Sequence, residues 1–125
     1  MTSLKRPFSG VISAPFLPML PEASIDWQTL RSYIAWIAEQ RPAAIAMNMD
    51  ASEVVALTME EQVKVIQVCR EVIDGVCPLL SGLLAGSTAL GVEYGRKLKA
   101  AGAEGLVGFP AFPTFLGSPL PVEMV

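Results

Sequence analysis

Few side chains of this 125-residue chain could act as nucleophiles, bases or metal ligands. The absence of histidine excludes, within this chain, an imidazole base, a serine–histidine pair and a histidine-ligated metal. A lysine that forms a Schiff base must be desolvated or lie beside another cation. Lys5 precedes the first predicted strand, and Lys64, Lys97 and Lys99 fall on predicted helices. We therefore expect these lysines on the solvated surface and assign them no catalytic role.

The cysteines and acidic residues show no spacing typical of a metal site. Cys69 and Cys77 belong to no recognisable motif, and the first residues carry no signal peptide, so we predict two buried thiols and no disulfide. Glu60 and Glu61 lie at a predicted helix start, where carboxylates interact favourably with the positive end of the helix dipole. The sequence therefore predicts no metal and no cofactor.

Composition excludes several classes of partner. Hydrophobic residues make up 52% of the chain and charged residues 17%, which is incompatible with intrinsic disorder. A net charge of −3 without a basic cluster argues against nucleic acid. The uncharged stretches 75–92 and 105–122 are long enough to span a membrane, but their glycines or prolines would leave backbone groups unpaired in lipid. We expect no membrane contact and a cytoplasmic location.

The elements that must position any site alternate between strand and helix. Strands are predicted over residues 10–17, 43–49, 76–80 and 105–109, followed by a proline-rich tail. Helices are predicted from Ser24 or Asp26 to Arg41, from Thr58 to Asp74, and from Ser87 or Thr88 to Ala101. Thr58 with Glu61 three residues later predicts a capping box. Four strands alternating with three helices are typical of an α/β fold with a parallel sheet.

Two parallel architectures fit this alternation, an open doubly wound sheet and part of a (β/α)8 barrel. A dinucleotide-binding sheet needs a glycine-rich turn after its first strand. Ser13, Ala14, Pro15 and Phe16 occupy that position, and the pair Gly82 and Gly86 does not have the GxGxxG order. The sequence therefore disfavours a nucleotide site.

Four phrases together carry a family resemblance over about residues 10–123. They are Pro15-Phe16 after the first strand, Ser24-Ile-Asp-Trp-Gln-Thr-Leu-Arg31, Ser52-Glu53 before Leu57-Thr-Met-Glu-Glu61, and Lys99-Ala-Ala-Gly-Ala-Glu-Gly105 before Pro110. In this order the chain resembles the dihydrodipicolinate synthase and N-acetylneuraminate lyase family. The resemblance implies a (β/α)8 barrel that forms a Schiff base with pyruvate or a related 2-oxo acid and makes or cleaves a carbon–carbon bond.

A barrel of this kind needs about 250 residues. Residues 1–125 are therefore expected to be one partial barrel domain, its N-terminal half. The resemblance implies a Schiff-base lysine on the sixth strand and a proton-relay tyrosine on the fifth. Neither strand is present in this sequence, so we expect the chain alone to be inactive.

The resemblance also implies a substrate-carboxylate loop after the second strand. The family pattern Gly-Thr-Thr-Gly-Glu aligns with Met49, Asp50, Ala51, Ser52 and Glu53, of which only Glu53 matches. Asp50 places a negative charge where an anion should bind, and like charges about 4 Å apart repel by roughly 4 kcal/mol at an effective dielectric near 20. Ser52 could supply one hydroxyl in place of the lost pair. We name Asp50, Ala51, Ser52 and Glu53 as the candidate, altered substrate-binding residues.

The end of the fourth strand departs from the family pattern in a similar way. Where many members carry Pro-Pro-Tyr-Tyr, this chain has Pro110, Ala111, Phe112 and Pro113, which cannot relay a proton. Phe109, Phe112 and Phe115 are interpreted as packing at the barrel mouth or at a subunit contact, with ligand stacking as the alternative. Asn48 and Asp50 follow a strand and are expected to point toward the barrel mouth, or else to cap the loop.

Two hypotheses about function remain open. In the first, the chain is part of a lyase or synthase that acts on a small 2-oxo acid through a divergent site. In the second, it is a catalytically silent half-barrel that serves as an oligomerising or binding module, because an open four-stranded sheet exposes two edges and an apolar inner face. A homo-oligomer is expected in either case.

Overall fold

The computed structural model describes residues 8–110, which form seven regular elements in strict alternation. The strands are β1 (Ile12–Ser13), β2 (Ala44–Met47), β3 (Leu79–Leu83) and β4 (Gly105–Gly108). The helices are α1 (Trp27–Glu39), α2 (Met59–Ile73) and α3 (Thr88–Ala101). The predicted α/β class, with four strands and three helices, is confirmed.

The four strands form one parallel sheet in the order β1-β2-β3-β4. The register pairs Ile45 with Leu79 and Leu80 with Gly105. A doubly wound sheet reverses its strand order at a switch point, whereas a barrel adds each new strand beside the last. The sequential order therefore identifies the first half of a (β/α)8 barrel and excludes the open doubly wound alternative.

Alternate strand residues face two different surroundings. Ile45, Met47 and Leu79 are fully buried against the helices, in a core that includes Leu30, Ile34, Val65 and Ile66. We call this contact the sheet–helix layer. The opposite side of the sheet, the inner face, is a small cluster of Ala44, Ala46 and Leu80 flanked by Met49 and Val107. Most of the hydrophobic core therefore lies on the helix side.

Side-chain caps begin the helices where the sequence predicted. The Asp26 carboxylate accepts the Thr29 N–H at 3.0 Å, and the Ser87 hydroxyl accepts the Leu90 N–H at 3.2 Å, which decides between the alternative caps. Thr58 and Glu61 form both bonds of the predicted capping box, at 2.8 and 3.1 Å. Each cap satisfies backbone donors that the first turn leaves unpaired.

Strand boundaries differ from the prediction at β1 and β3. The strand predicted over residues 10–17 is only Ile12–Ser13, because Pro15 has no N–H to give to β2. The strand predicted over residues 76–80 is wrong by three residues. Asp74 and Gly75 are both left-handed, at φ 45° and 77°, so the chain is still turning there and β3 begins only at Leu79. The strand then continues through Ser81 and Gly82, which strand propensity disfavours.

The remaining boundaries shift by two residues at most. The strands predicted over residues 43–49 and 105–109 are shortened to β2 and β4, and α1 ends at Glu39, just before Arg41. No helix within residues 8–110 combines the length and the apolar character that a membrane crossing requires.

Candidate functional site

The candidate site lies in the β2–α2 loop, residues 48–57, at the C-terminal ends of the strands. The loop consists of two 3₁₀ turns, Asp50–Ser52 and Val54–Ala56, joined at Glu53 with a left-handed φ of 61°. The Met49 carbonyl accepts the N–H groups of Ser52 at 2.9 Å and Val54 at 3.3 Å. These bonds fold the predicted site residues into one compact segment at the end of the barrel where (β/α)8 enzymes carry their active sites.

The four candidate residues of this loop have different surroundings. Asp50 and Glu53 are exposed, Ala51 is half-buried and Ser52 is fully buried. The Ser52 hydroxyl donates to the Pro15 carbonyl at 2.9 Å, which fastens the loop to the segment after β1. A ligand role for Ser52 remains a prediction, and it requires this internal bond to break.

Backbone donors are available at the start of the loop. The N–H groups of Asp50 and Ala51 donate to no acceptor among residues 8–110. The Asp50 carboxylate forms no ion pair with any lysine or arginine of the same residues. Two unpaired donors favour an anion, whereas the exposed carboxylate disfavours one. The loop therefore combines an attractive and a repulsive group for a carboxylate ligand.

Asn48 does not point toward the barrel mouth, so the first of its two predicted placements is wrong. Its side chain is fully buried, and its Nδ2 donates to Ser81 Oγ at 2.9 Å and to the Gln62 carbonyl at 3.2 Å. Ser81 lies between Leu79 and Leu83, which both pack in the sheet–helix layer. Asn48 is therefore the loop cap of the alternative prediction. Sequence reasoning missed Ser81 and Gln62, because Ser81 lies one residue beyond the strand predicted over residues 76–80 and nothing in the sequence marks it as a partner of Asn48.

The strand ends meet closely at Gly82. A Cβ there would lie 2.0 Å from the Asn48 carbonyl oxygen and 2.9 Å from Phe109 Cε2, so only glycine fits. This contact supports the packing interpretation of Phe109 over ligand stacking. Phe112, Pro113 and Phe115 lie outside the described residues.

The lysines of the described segment lie on the helices, as predicted. Lys64 Nζ is 4.3 Å from the centre of the Trp27 ring, and Lys97 Nζ is 3.1 Å from Glu93 Oε1. Lys99 is exposed near the end of α3, and Lys5 lies outside the described residues. Lys64, Lys97 and Lys99 therefore lie in the outer helical shell and not on a strand.

Burial disfavours ionisation of both thiols. Cys69 and Cys77 are free and buried, as predicted. Burial raises the pKa of the Cys69 thiol to about 12. Burial, and then the nearby Glu104 carboxylate, raise the pKa of Cys77 as well. Within residues 8–110 no group of three or more cysteine, aspartate or glutamate side chains could hold a metal ion.

Comparison with known proteins finds one family over most of the chain. Residues 7–113 match the model of the dihydrodipicolinate synthetase family. The 4-hydroxy-tetrahydrodipicolinate synthase of Leptothrix cholodnii is 33% identical over 99 residues, covering 79% of this chain and 34% of the relative. That of an Acidovorax species is 32% identical over 104 residues, covering 83% and 35%. The chain thus spans about a third of the length of these curated relatives.

Solved structures superpose on the same portion. The dihydrodipicolinate synthase of Acinetobacter baumannii, crystallised with pyruvate, aligns with a TM-score of 0.78 at 29% identity, covering 82% of this chain and 35% of that one. The synthase of Agrobacterium tumefaciens aligns with a TM-score of 0.81 at 23% identity, covering 94% and 38%. The four strands and three helices therefore have the arrangement of the corresponding third of these structures.

Proposed function

Because the chain belongs to the dihydrodipicolinate synthetase family, we propose that it supplies part of a binding site for pyruvate or a related 2-oxo acid. The complete site serves formation or cleavage of a carbon–carbon bond through a Schiff base. The observation that carries the proposal is the family match over residues 7–113, together with the place of the matched β2–α2 loop at the strand ends. A synthase similar to this chain is known with pyruvate bound.

Within this site we assign substrate binding, and not the covalent step, to the chain. The described lysines lie on the outer helical shell, where they are exposed and cannot be desolvated against a substrate. The substrate carboxylate is proposed to meet the N–H groups of Asp50 and Ala51, while Ser52 anchors the loop through Pro15. Glu53 provides the left-handed joint between the two turns.

Asp50 is proposed to weaken and tune this binding. The backbone N–H of Asp50 is proposed to bind the substrate carboxylate, while the side-chain carboxylate of the same residue repels it. Substitution of Asp50 by asparagine removes this repulsion without changing the shape of the side chain. For an exposed group this repulsion is about 1 kcal/mol at 4 Å. We therefore expect Asp50→Asn to bind pyruvate about fivefold more tightly than the unmodified chain.

The test is a titration of the ¹⁵N-labelled chain with pyruvate, followed by its backbone amide resonances. We expect shifts concentrated at Asp50 and Ala51, and a lower dissociation constant for Asp50→Asn. Glu60→Gln is the matched control, because it removes the same charge from the exposed first turn of α2. Equal tightening in both variants, or shifts absent from the loop at saturating pyruvate, would contradict the assignment.

A second experiment tests the absence of the covalent step. The chain is incubated with pyruvate and borohydride, which reduces any Schiff base to a stable adduct, and is then weighed by mass spectrometry. We expect no mass gain. A trapped pyruvate on Lys64, Lys97 or Lys99 would overturn the division between binding and chemistry.

Exposed apolar residues on and around β1 favour a second candidate function, an oligomerising or binding module without catalysis. Val11 and Phe16 are each 72% exposed and Ile12 is 43% exposed. Apolar side chains left exposed at the edge strand of a sheet favour association with another chain. Sedimentation velocity tests this candidate, and a monomer at all concentrations would count against it. The homo-oligomer and the cytoplasmic location remain predictions.

A further inference from the structure

We infer that Asn48, together with Gln62, is a positioning residue that holds the β2–α2 loop in the shape the proposed site requires. Asn48 is the first residue of the loop, and Gln62 lies one turn into α2. Neither faces the inner side of the barrel, so each acts through the loop backbone. The inference rests on the proposed function for its purpose, but its geometry is independent of any ligand.

The backbone of Asn48 ends β2. Its φ of 55° is left-handed, between the extended residues of β2 and the extended Met49. Asparagine adopts this region more readily than most residues. This left-handed residue turns the chain away from the direction of β2 and into the first 3₁₀ turn.

The side chain of Asn48 makes a separate contribution, through hydrogen bonds. One amide group bridges two elements, because Nδ2 donates both to Ser81 Oγ of β3 and to the Gln62 carbonyl of α2. Its Oδ1 is buried without a partner among residues 8–110. A buried acceptor left unpaired is costly, and it is unusual enough to require an explanation. The bridge between β3 and α2 is therefore kept although it leaves this oxygen unpaired.

Gln62 closes the loop at its other end. Its backbone carbonyl receives Asn48, and its side-chain Nε2 donates to the Leu57 carbonyl at 3.2 Å. The first and last parts of the loop are therefore tied to one residue. The Asn48 carbonyl oxygen lies against Gly82 of β3, so the start of the loop is also in close contact with the neighbouring strand.

Substitution of Asn48 by glycine separates the two contributions of this residue. Glycine accepts the left-handed backbone but removes both side-chain hydrogen bonds. Ser81→Ala removes one of the two partners. Ile73→Val is the control, since Ile73 is fully buried at the far end of the same helix and contacts neither the loop nor Asn48 by any bond.

The readout is amide hydrogen exchange of the chain without ligand. The reporters are Ser52, Glu53 and Val54, whose N–H groups bond within the loop, and the references are Gly91 and Gly102 of α3 and its cap. We expect Asn48→Gly to accelerate the reporters about tenfold while the references change less than twofold. Ser81→Ala should have a smaller effect of the same kind. Ile73→Val should accelerate reporters and references together.

Two exchange results would overturn the inference. Unchanged reporters in Asn48→Gly would mean that the left-handed backbone suffices, and parallel acceleration of the references would mean that Asn48 only contributes core stability. A pyruvate titration of the same variant adds a second readout, in which we expect weaker binding. Unchanged affinity with a loosened loop would overturn the positioning role. If the unmodified chain binds no pyruvate, the proposed function fails, while the exchange experiment still decides whether Asn48 holds the loop.

Discussion

The two faces of the sheet are built in different ways. On the helix side, large side chains of β2 and β3 are completely buried by α1, α2 and α3. On the inner side, the same strands present alanines and glycines, with Leu80 as the largest buried side chain, and Ile12 is 43% exposed. The sheet–helix layer is therefore buried as fully as the core of a complete domain. The inner face has small side chains and one partly exposed isoleucine, which is the composition of a surface that packs against further strands or another chain.

This difference separates stability from function along single strands. Neighbouring residues of β3 belong to opposite faces, so Leu79 supports the fold while Gly82 shapes the strand end near the loop. The β2–α2 loop lies where the two faces meet: Ser52 and Asn48 fasten it to the buried side, and Asp50 is left exposed. Substitutions on either side should therefore have effects that differ in size and in kind.

The largest effect is expected for Leu79 and Leu80, an adjacent pair with one residue on each face. Leu79→Ala should lower the free energy of unfolding by about 2–5 kcal/mol, because it leaves a cavity in a closed core. Leu80→Ala should cost less than half as much, since the open inner face can relax around the smaller side chain. Urea denaturation of both variants measures the difference. Equal losses would remove the distinction between the two faces.

A pH titration tests whether the sheet–helix layer excludes water around Cys69. The native thiol has its pKa raised to about 12 from 9.0, so it stays protonated where the unfolded chain ionises. The contribution of this thiol to the free energy of unfolding is therefore fully present below pH 9 and is lost as the pH rises toward 12. The slope of this loss is at most about 1.4 kcal/mol per pH unit. Cys69→Ala should flatten the profile of unfolding free energy against pH. The same slope in both proteins would show that the thiol is hydrated.

A smaller difference is expected between the exposed start of the loop, at Asp50, and the cap of the helix that follows the loop, at Thr58. Thr58→Ala removes one bond of the capping box of α2 and should lower the free energy of unfolding by about 1 kcal/mol. Asp50→Ala, in the exposed part of the loop, should change it by less than about 0.5 kcal/mol. Thermal unfolding of the two variants measures both values. A cost at Asp50 as large as at Thr58 would mean that Asp50 stabilises the fold and is not free for a ligand.

The smallest effect on stability is expected at the exposed edge of the inner face, at Ile12. Ile12→Thr should alter the free energy of unfolding by less than about 0.5 kcal/mol but reduce self-association, because it makes an exposed apolar position polar. Trp36→Gln is the control, since Trp36 is 59% exposed on the outer side of α1. Sedimentation equilibrium compares the two. Loss of association in Trp36→Gln alone would place the contact on the helices.

Helix starts could be predicted because their signals are local. Asp26, Thr58 and Ser87 each accept an N–H three residues later, and this spacing is visible in the sequence. The β3 boundary could not be predicted in this way. The apolar run over residues 76–80 looks like a strand, whereas Ser81 and Gly82 are poor strand residues whose presence is explained only by Asn48 and Phe109 across the sheet.

The position of the loop that carries the candidate residues could be predicted, but the contacts of those residues could not. The family phrases located Asp50, Ala51, Ser52 and Glu53 in a loop after β2, and the structure has the loop there. Ser52 bonds to Pro15, 37 residues away in sequence, and Asn48 bonds to Ser81, 33 residues away. No local sequence pattern predicts partners at such a distance. Whether a polar side chain faces a ligand or a neighbouring strand depends on such distant contacts.

The sequential strand order bears on how the chain folds while it is being synthesised. Within residues 8–110, each strand after β1 pairs with the strand translated just before it, so the segments that separate paired strands stay short. At about 5–20 residues per second, β2 has several seconds to pair before β4 emerges from the ribosome. Assembly can therefore keep pace with translation, and at every stage the newest strand is the edge onto which another strand can add.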